Sequence, residues 1–99
     1  MLFVGDVILL SPGRPVPEGD KAMFHCLSKD KTTGQPSSNR PADFYRNGSV
    51  FMATESTGQT SILHVSKSDE GFYKCSISGL GESPQSWMEV IGESGSHTL

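Results

Sequence analysis

Asp69-Glu70-Gly71-Phe72-Tyr73-Lys74-Cys75 is the stretch on which the reading of this 99-residue chain turns. From Phe72 to Ile77 the side chains alternate in character, which is the period of a strand. The polar residues 66–70 before it read as a turn. Its cysteine is one of two; the other, Cys26, closes a second alternating run, Ala22-Met23-Phe24-His25-Cys26. The two stand 49 residues apart, too far for a redox Cys-x-x-Cys. Two well-separated cysteines in a small domain suit one structural disulfide, with two free buried thiols as the alternative. A bridge across that loop contributes about 4 kcal/mol by loop closure and implies an oxidising, extracellular setting.

Working outward, no window shows the apolar spacing of an amphipathic helix, and short alternating runs separated by turn residues recur. They cover residues 6–11, 21–27, 44–46, 49–53, 60–65, 72–77 and 85–91. Pro12-Gly13 and Pro15 end the first, as an edge strand tolerates. Asn47-Gly48 joins two runs into a hairpin, because both residues accept the positive φ angles of a type I′ turn. Residues 28–41 carry no large apolar side chain and read as one long exposed loop. About seven strands at this spacing make a sandwich or a small barrel. A bridge from the second strand to the penultimate one favours two facing sheets. The domain is expected at 6–91, followed by a small, polar tail or linker remnant at 92–99.

Composition narrows the function classes. Lys and Arg number 8 against 11 Asp and Glu, a formal net charge of −3. With no basic run, nucleic acid is not an expected partner, since that affinity rests on phosphate neutralisation. The longest apolar run, Val7-Ile8-Leu9-Leu10, is far below the ~20 residues that span a bilayer. Met1-Leu2-Phe3-Val4 has no basic n-region and no cleavage site, so it does not read as a leader peptide.

The segment from Asp69 to Cys75 matches the Asp-x-Gly-x-Tyr-x-Cys signature of immunoglobulin domains, and with Cys26 upstream the chain resembles that family over 6–91. The resemblance implies an all-β, immunoglobulin-like β-sandwich of about seven strands with one inter-sheet disulfide, Cys26 to Cys75. Gly71 then allows a tight start to the strand, and Tyr73 becomes the tyrosine corner that ties back to upstream backbone. The family usually places Trp on the third strand, where this chain has Phe44, and an apolar residue where it has Thr60. Many such domains pair the Asp of the motif with an Arg opening a later strand. No Arg lies between Asn47 and Thr60, so that bridge is not expected.

A finer resemblance is to C2-like domains of leukocyte receptors related to Fc receptors, especially Fc receptor-like and leukocyte immune-type receptors of bony fish. It is carried by Ser11-Pro12 followed by Arg14-Pro15-Val16-Pro17-Glu18-Gly19-Asp20, by Ala42-Asp43-Phe44-Tyr45-Arg46-Asn47-Gly48, the run Val65 to Gly71, and Gly81-Glu82-Ser83-Pro84-Gln85-Ser86-Trp87. It implies a protein ligand, immunoglobulin Fc or another surface protein, neighbouring immunoglobulin domains, and a membrane-anchored parent. No cofactor is implied.

Strand parity places candidate contact residues. With both cysteines inward, Ala22, Phe24, Tyr73 and Ile77 also face in, Met88 and Val90 take core positions, and Tyr45, Phe72, Lys74 and Trp87 share one outer face. Aromatics gathered there suggest a protein contact, as Trp and Tyr dominate hot spots, although single exposed apolar residues are ordinary. Met23, His25, Leu27 and Leu63 are expected to point outward on the other sheet, as a dimer or interdomain face or as scattered surface residues. By resemblance to Fc receptors, the loop 28–41, Phe51-Met52 and the tip 79–83 with Leu80 are further contact candidates. Asn47-Gly48-Ser49 is a glycosylation sequon, although the tight turn hinders its use.

Three motifs carry no chemistry. Gly79-Leu80-Gly81 lacks the third glycine and helix of a dinucleotide loop. Three scattered histidines, His25, His64 and His97, make no metal set. Asp69 and Glu70 diverge on strand geometry, so they cap a turn rather than form an acid–base pair. No nucleophile elbow occurs, and the chain is not expected to be an enzyme. The expected function is extracellular protein recognition within an immune receptor, with a structural or adhesion spacer as the alternative.

Overall fold

A computed structural model describes residues 6–29, 33–37, 40–55 and 57–92. The start of the chain, parts of the 28–41 loop and residues 93–99 of the expected tail lie outside the described residues. All seven expected runs form strands, and eleven strand segments are present among the described residues. The first sheet contains β1 (Val7–Leu10), β3 (Ala22–Lys29), β4 (Pro36–Ser37) and β7 (Gln59–Ile62), with β3 in the middle. The second runs β10 (Ser86–Met88), β8 (Gly71–Ile77), β5 (Ala42–Arg46), β6 (Ser49–Glu55), with β9 (Gly81–Glu82) also on β8. Cys26 of the first sheet and Cys75 of the second are bonded, with their Cα atoms 5.9 Å apart.

The N-terminal strand changes sheets. After β1 the chain passes Pro12 and Pro15, which have no N–H to give a ladder. It then joins β11 (Val90–Ile91) as β2 (Val16–Pro17), pairing parallel. The last expected run is split into β10 and β11 for a related reason. Val90 leaves β8: its N–H donates to Glu70 at 2.9 Å and its carbonyl accepts from Lys67 Nζ at 2.7 Å. These donors lower the Glu70 carboxyl below its ordinary range, the Val90 N–H first and Lys67 next.

Between the sheets lie Phe24, Phe44, Tyr73, Met88 and Val90, all buried, with Val7, Val16, Ala22, Val65 and Ile77 around them. Phe44 sits directly across from Cys75, where the family carries Trp. A second ring helps to fill that volume. Phe51 lies edge-on to Tyr73 at 5.3 Å and to Phe44 at 6.3 Å, while Phe24 and Tyr73 stack at 4.6 Å. Thr60, opposite Phe24, is half-buried, and Ile62 packs against the core.

Asn47 and Gly48 have φ of 51° and 85°, which is the handedness a type I′ hairpin needs. The Asn47 side chain also reaches β8, where its Oδ1 accepts from Phe72 N–H at 3.0 Å. That amide explains Gly71 better than a tight start of the strand does: a Cβ at 71 would lie 2.7 Å from the Asn47 amide atoms. Three further expectations are corrected. Residues 28–41 are not all loop, since Pro36–Ser37 pairs with the end of β3. Leu27 does not face solvent and is 8% exposed, because β1 sets Ile8 across from it and β4 closes the other edge. Asp69 does have an arginine, Arg46, whose Nη1 lies 2.9 Å from Oδ1.

Candidate recognition surface

The outer face of the second sheet is built by the even residues of β8 and their neighbours. Lys74 stands across from Tyr45, and Tyr45 across from Val50. One step along, Phe72 stands across from Trp87. The two rings meet edge to face at 4.8 Å and remain 47% and 50% exposed. Lys74 Nζ lies 5.4 Å from the centre of the Tyr45 ring and 3.0 Å from Glu82 Oε1. Its charge is thus partnered at the rim, and the middle of the face is aromatic.

Val50, 54% exposed, belongs to this face and was not legible by alternation. Tyr45 pairs with Val50 and Phe44 with Met52, so Phe51 is an extra residue in the β6 ladder. The bulge turns both Phe51 and Met52 toward the core, against which they pack half-buried. Leu80 is likewise folded onto the core, held by a Leu80 N–H to Ile77 carbonyl bond of 2.9 Å. Of the candidate contact residues, the structure therefore brings Tyr45, Phe72 and Trp87 together on one face, and sets Phe51, Met52 and Leu80 against the interior. On β3 of the other sheet Met23 is 44% exposed and His25 half-buried, and Leu63, just past the end of β7, is 63% exposed.

The inward residues at the same end of β8 form a closed network. Tyr73 hydroxyl donates to the Asp69 carbonyl, and Asp69 Oδ2 accepts from Ser66 N–H at 2.8 Å. Burial pushes the Tyr73 phenol above its ordinary pKa. The Arg46 guanidinium bonds Asp69 and covers the Phe51 ring at 5.7 Å. Asn47, the sequon residue, is exposed at the turn, but its N–H donates to the Phe72 carbonyl at 2.7 Å and its Oδ1 accepts from the Phe72 N–H. Among the described residues, no three His, Cys, Asp or Glu side chains gather where they could hold a metal ion.

No protein-family model matches the chain, and a search of curated proteins found no match. Solved structures do match. The second Ig-C2 domain of human Fc-receptor like A superposes with a TM-score of 0.67 at 20% identity, covering 88% of this chain and 98% of that one. The N-terminal four Ig domains of Dscam1 isoform 6.9 give 0.56 at 19% identity, over 88% of this chain and 21% of that one. Titin M4 gives 0.53 at 17% identity, over 92% of this chain and all of its own. Identities this low establish architecture alone. Two facing sheets joined by Cys26–Cys75, with Tyr73 tied back to Asp69, make this chain an immunoglobulin-like β-sandwich.

Proposed function

We propose that the chain is an extracellular protein-recognition domain of an immune receptor related to the Fc receptor-like proteins, contacting its partner through the face of Tyr45, Phe72 and Trp87. One observation carries the reading: Phe72 and Trp87 stand half exposed against one another, on a face that the described residues leave uncovered. Large aromatic rings surrounded by polar groups are what protein interfaces use as anchors. The disulfide suits an oxidising compartment. The likeness to a domain of Fc-receptor like A supports immunoglobulin Fc, or another surface protein, as the partner to test first.

The test is binding of the purified domain to immobilised immunoglobulin Fc and to a panel of surface-protein ectodomains, with Trp87→Ala beside the parent. A binder that loses at least tenfold in affinity supports the reading. A binder indifferent to Trp87→Ala contradicts the face, and an absence of any binder favours the spacer reading. That second reading is supported by the likeness to Dscam1, a chain of several Ig domains, and by the exposed Met23 and Leu63 as an interdomain face.

A further inference from the structure

Beside Trp87 the sheet has an unfilled edge. Phe72 uses its own N–H and C=O on Asn47 of the β5–β6 turn. In an antiparallel ladder these groups alternate sides, so Gly71 and Tyr73 are the residues of β8 that turn toward β10. Cys75 obeys the same parity, its C=O accepting from Ser83 N–H at 2.8 Å on that side. Ser86 and Met88, their register partners, complete those bonds. Trp87, between them, therefore turns its N–H and C=O away from β8, out of the edge of the sheet.

The next residue of that parity, Glu89, is covered: its carbonyl accepts from Val16 N–H at 2.9 Å, in line with β2. One rung along, at Trp87, β2 has not yet begun. Among the described residues no backbone bond joins Trp87 to the crossover between β1 and β2. A groove of about 430 Å³ lies there instead, lined by Leu10, Pro12, Arg14, Pro15, Trp87 and Glu89. Its walls are polar and apolar in about equal measure, with a cation and an anion among the lining side chains, and Ser11 Oγ bonds Ser86 Oγ at 2.9 Å within that lining.

We propose that this groove takes an extended peptide segment of a partner protein, which adds to the edge of β10 in line with β2 and exchanges hydrogen bonds with Trp87 N–H and C=O. An exposed donor and acceptor on an edge strand select extended backbone. The line already drawn by β2 on Glu89 sets where the segment lies. Leu10, Pro12 and the Trp87 ring supply apolar contact, and Arg14 and Glu89 receive opposite charges. The proposal deepens the reading above, since the partner's segment would reach the groove from the Trp87 face.

The test uses a phage-displayed library of random twelve-residue peptides selected on the whole domain, with selected peptides measured against Trp87→Ala and Trp87→Pro. Alanine removes the ring and keeps the N–H; proline removes both, and is compatible with an N–H that faces out of an edge. The expected result is enrichment of proline-poor, β-branched peptides that bind Trp87→Pro at least tenfold more weakly than Trp87→Ala. Hydrogen exchange on the unmodified domain gives a second readout that needs no variant to fold. The Trp87 amide should exchange fast when free and slow when a selected peptide is added. No enriched peptide, equal binding by the two variants, or an unprotected Trp87 amide in the complex overturns the proposal. Protection that grows with protein concentration without peptide overturns it in favour of a second copy on the edge. Loss of protein binding in Trp87→Ala with equal peptide binding by the two variants keeps the recognition face and removes the edge.

Discussion

The two faces of β8 differ by one residue in position and by almost everything in role. Gly71, Tyr73, Cys75 and Ile77 point inward and are buried; each is committed to the Asn47 amide, the Asp69 carbonyl, the disulfide or the core. Phe72 is exposed and Lys74 half-buried, on a face that, among the described residues, packs against no other sheet. The inward set is over-determined, so each member has partners that suffer when it changes. The outward set can change with little effect on folding, which leaves it available for recognition. Substitution on the two faces should therefore separate stability from binding.

The largest loss should follow removal of the bridge. Cys75→Ala with Cys26→Ala is expected to lower unfolding free energy by about 2–5 kcal/mol, measured by urea denaturation; an unchanged midpoint would place the stability elsewhere. Gly71→Ala comes next, at about 1–3 kcal/mol, because the new Cβ overlaps the Asn47 amide. Asn47→Gly in the same chain removes the clashing atoms and keeps a residue that accepts positive φ, so it should recover part of that loss. Two losses that simply add would contradict the close approach.

Arg46→Ala should lose about 1–2 kcal/mol, since it breaks a partly buried ion pair and uncovers the Phe51 ring. Acid stability gives a smaller effect with a definite sign. The Glu70 carboxyl is lowered in the folded state by the Val90 N–H and by Lys67. Its contribution is therefore present above its unfolded pKa and lost as pH falls through the lower, folded one. Glu70→Gln should flatten the acid limb of a stability–pH curve; an unchanged limb would show that the Val90 contact does not depend on the charge.

Much of this was legible in the sequence. Alternation around Cys26 and Cys75 placed the core residues, and Asn47-Gly48 announced its turn, because short-range φ preferences and period-2 burial are local properties. What alternation missed was non-local. The bulge at Phe51 shifts parity within β6, so Val50 comes out while Phe51 and Met52 go in. Leu27 obeys its parity, yet neighbouring strands bury it. Arg46 reaches Asp69 from the end of β5, a pairing that no window containing only one of them reveals. The edge at Trp87 needed the register of three strands, since Asn47 on Phe72 and Ser83 on Cys75 show which way the β8–β10 ladder alternates.

The most direct test of the division between the faces takes one variant from each, Trp87→Ala and Gly71→Ala, and measures for both the unfolding free energy and the affinity for whichever panel protein the parent domain binds. The account predicts that Trp87→Ala changes stability by about 0.5 kcal/mol or less while losing at least tenfold in affinity. Gly71→Ala, at a temperature where it remains folded, loses stability and keeps the greater part of its affinity. A Trp87→Ala domain that unfolds readily yet binds as before would contradict it.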